Sequence, residues 1–447
     1  MSTIKVNTVT KRTGSTLTLG ESGTTVTLAC GATQSGFGRT GTVDWCTTAK
    51  TAPFTSVSGK GYFVNTSGGT VTVTLPASPS AGDIVSIKDY KDTFNTNNVT
   101  VGRNSSKIGG QCLDATLSTQ GDSITLIYVD GTQGWVNIQT DDTVAGQAFV
   151  AATGGTVLTC GDFKTHVFTA TGCFQVTSAG NPLGSNTVSY LVVAGGGGAG
   201  YYYGAGGAGG YREGKTTDDT YTGSPLAATT GLPVAAQTYP VTVGAGGTAA
   251  PGPTGLGGNG ANSVFSTITS AGGGGGIGLS PAGAAGSGGS GGSAGYSCNT
   301  AGSGNTPPVT PPQGNDGGAA GPTGAGGGGG GATVAGQDAP GANVPGDGGN
   351  GANIGTNFFG PTSGSYGTPG PSAGRWFSGG GSAAHCGGTP GTNPGGAGGG
   401  GFGKGPLSTW ASNNGTANTG GGAGGGGGPY GVGTGGSGFV AIRYKFQ

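Results

Sequence analysis

The fold of this chain is decided by a short apolar stretch that runs directly into glycine, YLVVAGGGG at residues 190–198. A second apolar stretch, GFVAIRY, lies near the end of the chain at residues 438–444. The interval between them contains long glycine runs, at 272–276, 326–331, 398–401 and 424–428. The 447 residues include 112 glycines, without the strict Gly-X-Y period of collagen. The two apolar stretches therefore predict the first and last strands of one glycine-rich domain.

Two interpretations of this glycine-rich domain are open. Gly and Pro together exceed the share that is typical of disordered low-complexity sequence. An ordered glycine costs about 0.5–1 kcal/mol relative to alanine, so an ordered domain needs dense backbone hydrogen bonding. A bundle of polyglycine-II-like strands provides it, because backbones without Cβ atoms can approach closely. The apolar end strands and the low content of charged residues, 8%, favour the bundle.

The residues before 189 predict three further segments. Residues 1–52 alternate apolar and polar residues in short strands and have little core of their own, which favours an N-terminal stem or attachment segment. Residues 53–143 predict a β-sandwich-like domain, and residues 144–188 a short β connector. With the glycine-rich domain at 189–447, the expected fold class is all-β. The strands expected in the sandwich-like domain are Tyr62–Asn65, Thr70–Leu75, Asp83–Lys88, Asn98–Val101, Ser123–Val129 and Trp135–Ile138.

Composition excludes several classes of function. Seventeen basic residues balance seventeen acidic ones, which argues against nucleic acid or an anionic membrane as partner. No apolar run approaches the roughly 18 residues of a membrane-spanning helix. No signal-peptide pattern follows Met1, so we expect synthesis in a cytoplasm without secretion.

Seven cysteines without a C-x-x-C pair predict free thiols, and Cys160–Cys173 is the one pair worth checking as a disulfide.

Motifs for catalysis are weak. GGYREGKT at 209–216 fits the phosphate-loop pattern, and Gly195, Gly197 and Gly200 fit a dinucleotide fingerprint, but neither is followed by a helical sequence. The two histidines, His166 and His385, lack metal partners at useful spacing. The adjacent pair Asp218 and Asp219 favours solvation over catalysis. We therefore expect no enzyme activity, no cofactor and no metal.

Aromatic residues in the loops between glycine runs are the best functional signal. Trp and Tyr present flat apolar faces with a polar edge, which suits a sugar ring or a protein epitope. The alternative is that these rings cover the flank of a bundle that has few side chains of its own, and for Trp376 and Phe377 the two interpretations are equally open. The candidate receptor-binding residues are Tyr296, Phe358, Phe359, Tyr366, Trp376, Phe377 and Trp410.

Several phrases resemble a known family. GKGYFV at 59–64, AGDIV at 81–85, KIGG at 107–110 and YVDGTQGW at 128–135 resemble a β domain of marine bacteriophage tail-fibre proteins. GGYRE at 209–213 and GGSGFVAIRY at 435–444, with the stretch at 189–198, resemble the glycine-rich domain that ends such fibres. The chain is also similar in style to polyglycine-II adhesins at the tips of other phage fibres. It departs from the fibres in lacking an evident long shaft.

The resemblance implies a virion protein, a homotrimer whose N-terminal segment contacts other tail or baseplate proteins. Its glycine-rich domain would bind a host cell-surface glycan or outer-membrane protein through its loops. The alternative function is a structural virion component, an adaptor or a head or tail decoration, without receptor binding. A depolymerase is the weakest alternative, because paired carboxylates at a plausible site are missing.

Overall fold

The computed structural model describes residues 43–139, 148–181, 184–252, 255–278, 283–296, 299–322, 324–385, 393–405, 414–426 and 431–447. Most of the expected N-terminal stem, residues 1–42, lies outside this range. The described elements are β-strands apart from two short 3-10 turns, which confirms the expected all-β class. The described part of the chain contains no helix with the length and hydropathy of a membrane-spanning segment. The chain divides into two compact units, Met1–Ala145 and Gly146–Gln447.

The first unit is built from two sheets. One sheet has the order β1-β3-β5-β8-β9 and the other the order β2-β4-β6-β7, so the chain passes back and forth between the sheets from β1 to β6. Within each sheet these early strands are parallel. The strands are β1 Asp44–Lys50, β2 Phe54–Thr55, β3 Lys60–Val64, β4 Val71–Thr74, β5 Ile84–Asp89, β6 Val99–Gly102, β7 Ala115–Leu117, β8 Ser123–Asp130 and β9 Gly134–Asn137.

One hydrophobic core lies between these two sheets. Alternate residues of each strand point inward, as in β4, where Val71 and Val73 are buried and the threonines between and after them are half-buried. Trp135 is fully buried in this core. All six strands expected in the sandwich-like domain are present. Strand β1, which the sequence assigned to the stem, instead pairs with β3 and belongs to the same unit.

The second unit combines three sheets with the glycine runs. Its strands are β10 Val150–Thr153, β11 Thr156–Cys160, β12 Phe163–Phe168, β13 Gly172–Ala179, β14 Thr187–Val193, β15 Tyr211–Gly214, β16 Ala227–Ala228, β17 Leu232–Pro233, β18 Thr238–Thr242, β19 Ser263–Phe265, β20 Ile268–Ser270, β21 Ala352–Ile354, β22 Arg375–Phe377 and β23 Phe439–Lys445. The 3-10 turns are Thr356–Phe358 and Gly360–Ser365.

The first and last strands of the glycine-rich domain are neighbours. Strand β14 pairs antiparallel with β23, from Ser189 opposite Arg443 to Val193 opposite Phe439. The two apolar stretches are therefore strands, as expected, and they lie side by side in one sheet. They lie in a sheet of order β11-β12-β23-β14-β15-β16, with β17 paired to β14. A second sheet has the order β10-β13-β18-β19-β20, and β21 pairs with β22.

The strands that the sequence assigned to a connector at 144–188 are part of these sheets. Strand β12 pairs with β23 along its full length, and β13 pairs with β18. The glycine-rich unit therefore needs residues well before 189 to complete its sheets.

The glycine segments are joined by backbone hydrogen bonds with a three-residue repeat. Successive N–H groups of residues 194–200 donate in turn to three different neighbouring segments, and every third residue returns to the same neighbour. In the first neighbouring segment, the carbonyls of Gly210, Gly207 and Gly204 accept from Ala194, Gly197 and Gly200, respectively. In the second, the carbonyls of Ala261 and Gly258 accept from Gly195 and Gly198. In the third, the carbonyls of Gly436 and Gly433 accept from Gly196 and Ala199. This is the pattern expected of a polyglycine-II-like bundle, with three residues per turn.

Glycine is required in the bundle because there is no space for a Cβ atom. A Cβ on Gly206 would overlap the carbonyl oxygen of Gly197, and one on Gly329 would overlap that of Gly206. A Cβ on Gly380 would in turn overlap the carbonyl oxygen of Gly329. None of these glycines has a positive φ, so the requirement is steric and not conformational. The neighbours are backbone atoms already engaged in hydrogen bonds, so they cannot move aside independently.

Polar side chains complete the hydrogen bonding at the flanks of the bundle. The Oδ1 atoms of Asn262 and Asn259, three residues apart, accept from the N–H groups of Gly272 and Gly275 at 2.9 and 2.8 Å. The Oδ1 atom of Asp338 likewise accepts from the N–H group of Ala319 at 2.7 Å. At these flanks a side-chain oxygen replaces the carbonyl of a further segment, so the backbone donor stays satisfied.

We predict that Gly329→Ala destabilises the protein by about 3 kcal/mol or more, because overpacking against fixed backbone relaxes poorly. The matched control is Gly341→Ala, since a Cβ at Gly341 meets nothing within 4 Å. The control should change the free energy of unfolding by less than about 1 kcal/mol. Urea unfolding monitored by circular dichroism measures both variants. Equal effects of the two substitutions would contradict the close packing.

Candidate functional site

Several glycine segments end together on the side of the bundle away from β14 and β23, which we call the far end. Tyr203 lies in the turn that follows residues 194–200, and its N–H group donates to the carbonyl of Gly426 at 2.9 Å. The N–H group of Ala384 donates to the carbonyl of Tyr203, and that of Gly326 donates to the carbonyl of Ala384. The N–H group of Gly346 donates in the same way to the carbonyl of Gly326. The turns of segments that are distant in sequence are therefore neighbours at the far end of the bundle.

The far end exposes apolar and aromatic side chains. Leu256, Tyr296, Val344 and Phe402 are 45%, 36%, 49% and 48% exposed. Tyr201, Tyr202 and Tyr203 are half-buried in the first turn, with the ring centroids of Tyr201 and Tyr202 5.0 Å apart. Because exposed apolar patches commonly mark interaction sites, these side chains make the far end the candidate surface.

The structure places six of the seven candidate receptor-binding residues, and they lie at two different ends of the bundle. Tyr296 lies at the far end and is accessible. Trp410 lies outside the described residues. The other five lie at the opposite end, the near end, where β14 and β23 join the glycine segments; they are Phe358, Phe359, Tyr366, Trp376 and Phe377.

Most of the near-end candidates belong to the core. Phe358, Phe359 and Phe377 are fully buried, and Trp376 is 9% exposed. Tyr366 is half-buried, with its ring centroid 5.1 Å from that of Phe359. The physical reason is that β14 and β23 present an apolar face that the glycine segments cannot cover with side chains. The loop at 355–374 provides the aromatic rings for that face, so the buried phenylalanines are inaccessible to a receptor.

Three exposed residues of the far end were not among the candidates drawn from the sequence. Leu256, Val344 and Phe402 are single apolar residues in or next to turns between glycine segments. Phe402 is the residue directly after the run at 398–401. For Phe402, an isolated large apolar residue at the end of a glycine run was the signal that could have identified it; Leu256 and Val344 do not follow such a run.

A buried ion pair between Asp219 and Arg443 lies where the loop at 355–374 meets the last strand. The Arg443 Nε atom donates to both carboxylate oxygens of Asp219, at 3.0 and 3.1 Å. Its Nη1 atom donates to the carbonyl of Phe358 at 3.3 Å, and the Thr165 hydroxyl donates to the same carbonyl at 2.8 Å. The expectation that Asp219 is solvated was therefore wrong, because its side chain pairs with the last strand. Its neighbour Asp218 is exposed.

Two further buried polar groups have structural partners. Glu213 accepts from the Tyr211 hydroxyl at 2.8 Å and from the Ser224 N–H group at 3.1 Å, and its burial raises the pKa of the carboxyl. The ring nitrogens of His166 contact the carbonyl of Gly154 at 2.7 Å and the hydroxyl of Tyr444 at 3.0 Å. Burial lowers the pKa of His166, so its imidazole is neutral near pH 7. Both groups are enclosed and face neighbouring strands.

The remaining motifs also have structural explanations. Residues 211–214 of the phosphate-loop pattern form β15, paired with β14, and not a loop before a helix. The thiols of Cys160 and Cys173 are free, so this pair forms no disulfide. Among the described residues, no group of three or more His, Cys, Asp or Glu side chains could hold a metal ion.

We predict that Asp219→Ala costs about 3–5 kcal/mol of stability, because it leaves the guanidinium of Arg443 buried without its counter-ion. Asp218→Ala, at the exposed neighbouring position, should change stability by no more than about 0.5 kcal/mol. Thermal or urea unfolding of the full chain measures the difference. Similar small effects of both substitutions on the free energy of unfolding would show that the ion pair does not stabilise the fold.

Comparison with known proteins gives one family. A model described as a glycine-rich domain matches residues 169–445. The match begins in the turn before β13 and ends at the last residue of β23, so it covers well over half of the chain. No curated protein matches the chain. By this match, the chain belongs to the glycine-rich domain family.

Proposed function

We propose that this chain is a bacteriophage tail fibre that attaches the virion to its host cell through the far end of the glycine bundle. The observation that carries the proposal is the gathering of turns with exposed apolar side chains at one end of a densely hydrogen-bonded scaffold. The resemblance of both units to parts of marine phage fibres supports the same function.

The bundle is suited to present a binding surface. Its segments are fixed by backbone hydrogen bonds in several directions, so their ends hold the turns in place. Binding residues are commonly carried by loops on such a scaffold. Residues in the turns can be substituted without disturbing the packing of the glycine segments, because the turns lie outside the packed bundle. This arrangement allows one scaffold to accept different receptors.

The proposed attachment is multivalent. In a homotrimeric fibre, three copies of the far end would face the same cell surface. Weak sites then combine through their effective concentration and give strong overall attachment. The N-terminal segment would contact other tail or baseplate proteins, and the receptor would be a cell-surface glycan or outer-membrane protein.

Binding of the labelled full-length protein to a panel of marine bacterial strains, measured by flow cytometry, tests this proposal. We expect some strains to bind, and the double variant Leu256→Ala with Phe402→Ala to bind them at least about tenfold more weakly. The matched control is Val334→Ala. Val334 is 49% exposed and lies in a near-end turn, where Gly331 donates to its carbonyl.

The outcomes separate the candidate functions. Unchanged binding by the folded far-end variant would remove Leu256 and Phe402 from the receptor site. Loss of binding by Val334→Ala alone would move the site to the near end. If no strain binds the wild-type protein, the structural virion component becomes the better interpretation.

A further inference from the structure

A small pocket opens at the near end of the second unit, between the 3-10 turn at 356–358 and the segment that leads into β22. Its volume is about 220 Å³. Thr222, Asn353, Thr356 and Asn357 line it with hydroxyl and amide groups. This is smaller than the roughly 300 Å³ at which pockets for drug-sized ligands begin. The pocket therefore has the size for a single small ring.

Two glycines line the pocket at positions where a Cβ atom would lie close to backbone atoms. A Cβ on Gly355 would lie 3.0 Å from the backbone nitrogen and oxygen of Thr222. Gly374 has a φ of +121°, and a Cβ there would lie 2.7 Å from the carbonyl oxygen of Ile354. A larger residue at either position would therefore be strained against that backbone. The absence of side chains at these two positions forms a concave backbone surface.

The polar groups of the pocket are held in place by the surrounding hairpin. The Nδ2 atom of Asn353 donates to the carbonyl of Ala373 at 2.9 Å and to the hydroxyl of Ser372 at 3.3 Å. Because both amide hydrogens are engaged, the atom that Asn353 can offer to a ligand is its Oδ1 acceptor. The N–H group of Gly355 donates to the carbonyl of Thr222 at 2.8 Å, which fixes the opposite wall.

The pocket offers no charged group to pair with a charged ligand. Its lining residues, all within the described ranges, carry no charge. The nearest cation in sequence, Arg375, directs its guanidinium to the carbonyls of Tyr366, Gly364 and Gly367. Hydroxyl and amide groups can both donate to and accept from ligand hydroxyls. The threonine and Ala373 methyl groups offer apolar contact to ring C–H groups.

We propose that this pocket binds one neutral sugar ring, in contact with Asn353, Thr356 and Asn357. The site lies at the end of the bundle opposite the exposed turns, so it does not depend on the proposed function of the far end. It gives the glycine-rich unit a saccharide site whose ligand is held by hydrogen bonds and not by aromatic stacking, since Trp376 and Phe358 are buried beneath the loop.

Saturation-transfer NMR on the full-length protein tests the proposal, with glucose, galactose, mannose and N-acetylglucosamine as probes. We expect at least one of these sugars to bind with a Kd of about 1–10 mM, as few polar contacts in a small pocket allow. Glucuronic acid should bind at least about tenfold more weakly than the best neutral sugar, because the pocket offers no cation to its carboxylate.

Two variants locate the binding. Ala373→Tyr fills the pocket from an exposed position, and Asn357→Ala removes an exposed amide from its rim. Both should abolish the transfer signal. Ala236→Tyr, at an exposed position outside the pocket lining, is the matched control and should retain it. Thermal unfolding verifies that each variant is folded. The proposal is overturned if none of the four sugars binds at about 50 mM, or if Ala373→Tyr binds as well as the control.

Discussion

The second unit depends on the close approach of backbones that only glycine permits. The glycine segments contact neighbours on several sides. In the segment at 194–200, successive N–H groups donate to three different neighbours, and the pattern repeats every three residues. The Cβ of any other residue would overlap a neighbouring carbonyl at positions such as Gly197, Gly206 and Gly329. The glycine content is therefore a packing requirement, and the hydrogen bonds offset the conformational entropy that glycine loses on folding.

This packing determines where side-chain chemistry can occur. The interior of the bundle has little room for side chains, so larger residues are found at its ends and flanks. At the near end they form a core around β14 and β23, stabilised by the buried pair Asp219 and Arg443. At the flanks, Asn and Asp oxygens accept hydrogen bonds from backbone amides. At the far end the apolar residues Leu256, Tyr296, Val344 and Phe402 are exposed, which is why we propose that a receptor binds there.

Local patterns in the sequence were enough to predict six of the nine strands described in the first unit and the two long apolar strands of the second. Alternation in residues 53–143 identified six strands, and the apolar stretches around Val192 and Val440 identified the paired strands β14 and β23. The burial of Phe358 and Phe377 could not be predicted, because it depends on which loop folds over the sheet. The pairing of Asp219 with Arg443 spans 224 residues and has no local signal.

Native-state hydrogen exchange by mass spectrometry tests the central claim most directly, because it reports whether the glycine amides are hydrogen-bonded. The decisive comparison is between the run at 326–331 and strand β14. If the bundle is as described, the amides of this run are protected about a thousandfold or more, comparable to those of Leu191 and Val192 in β14. Exchange of the glycine run at the rate of an unstructured chain, with β14 still protected, would contradict the bundle.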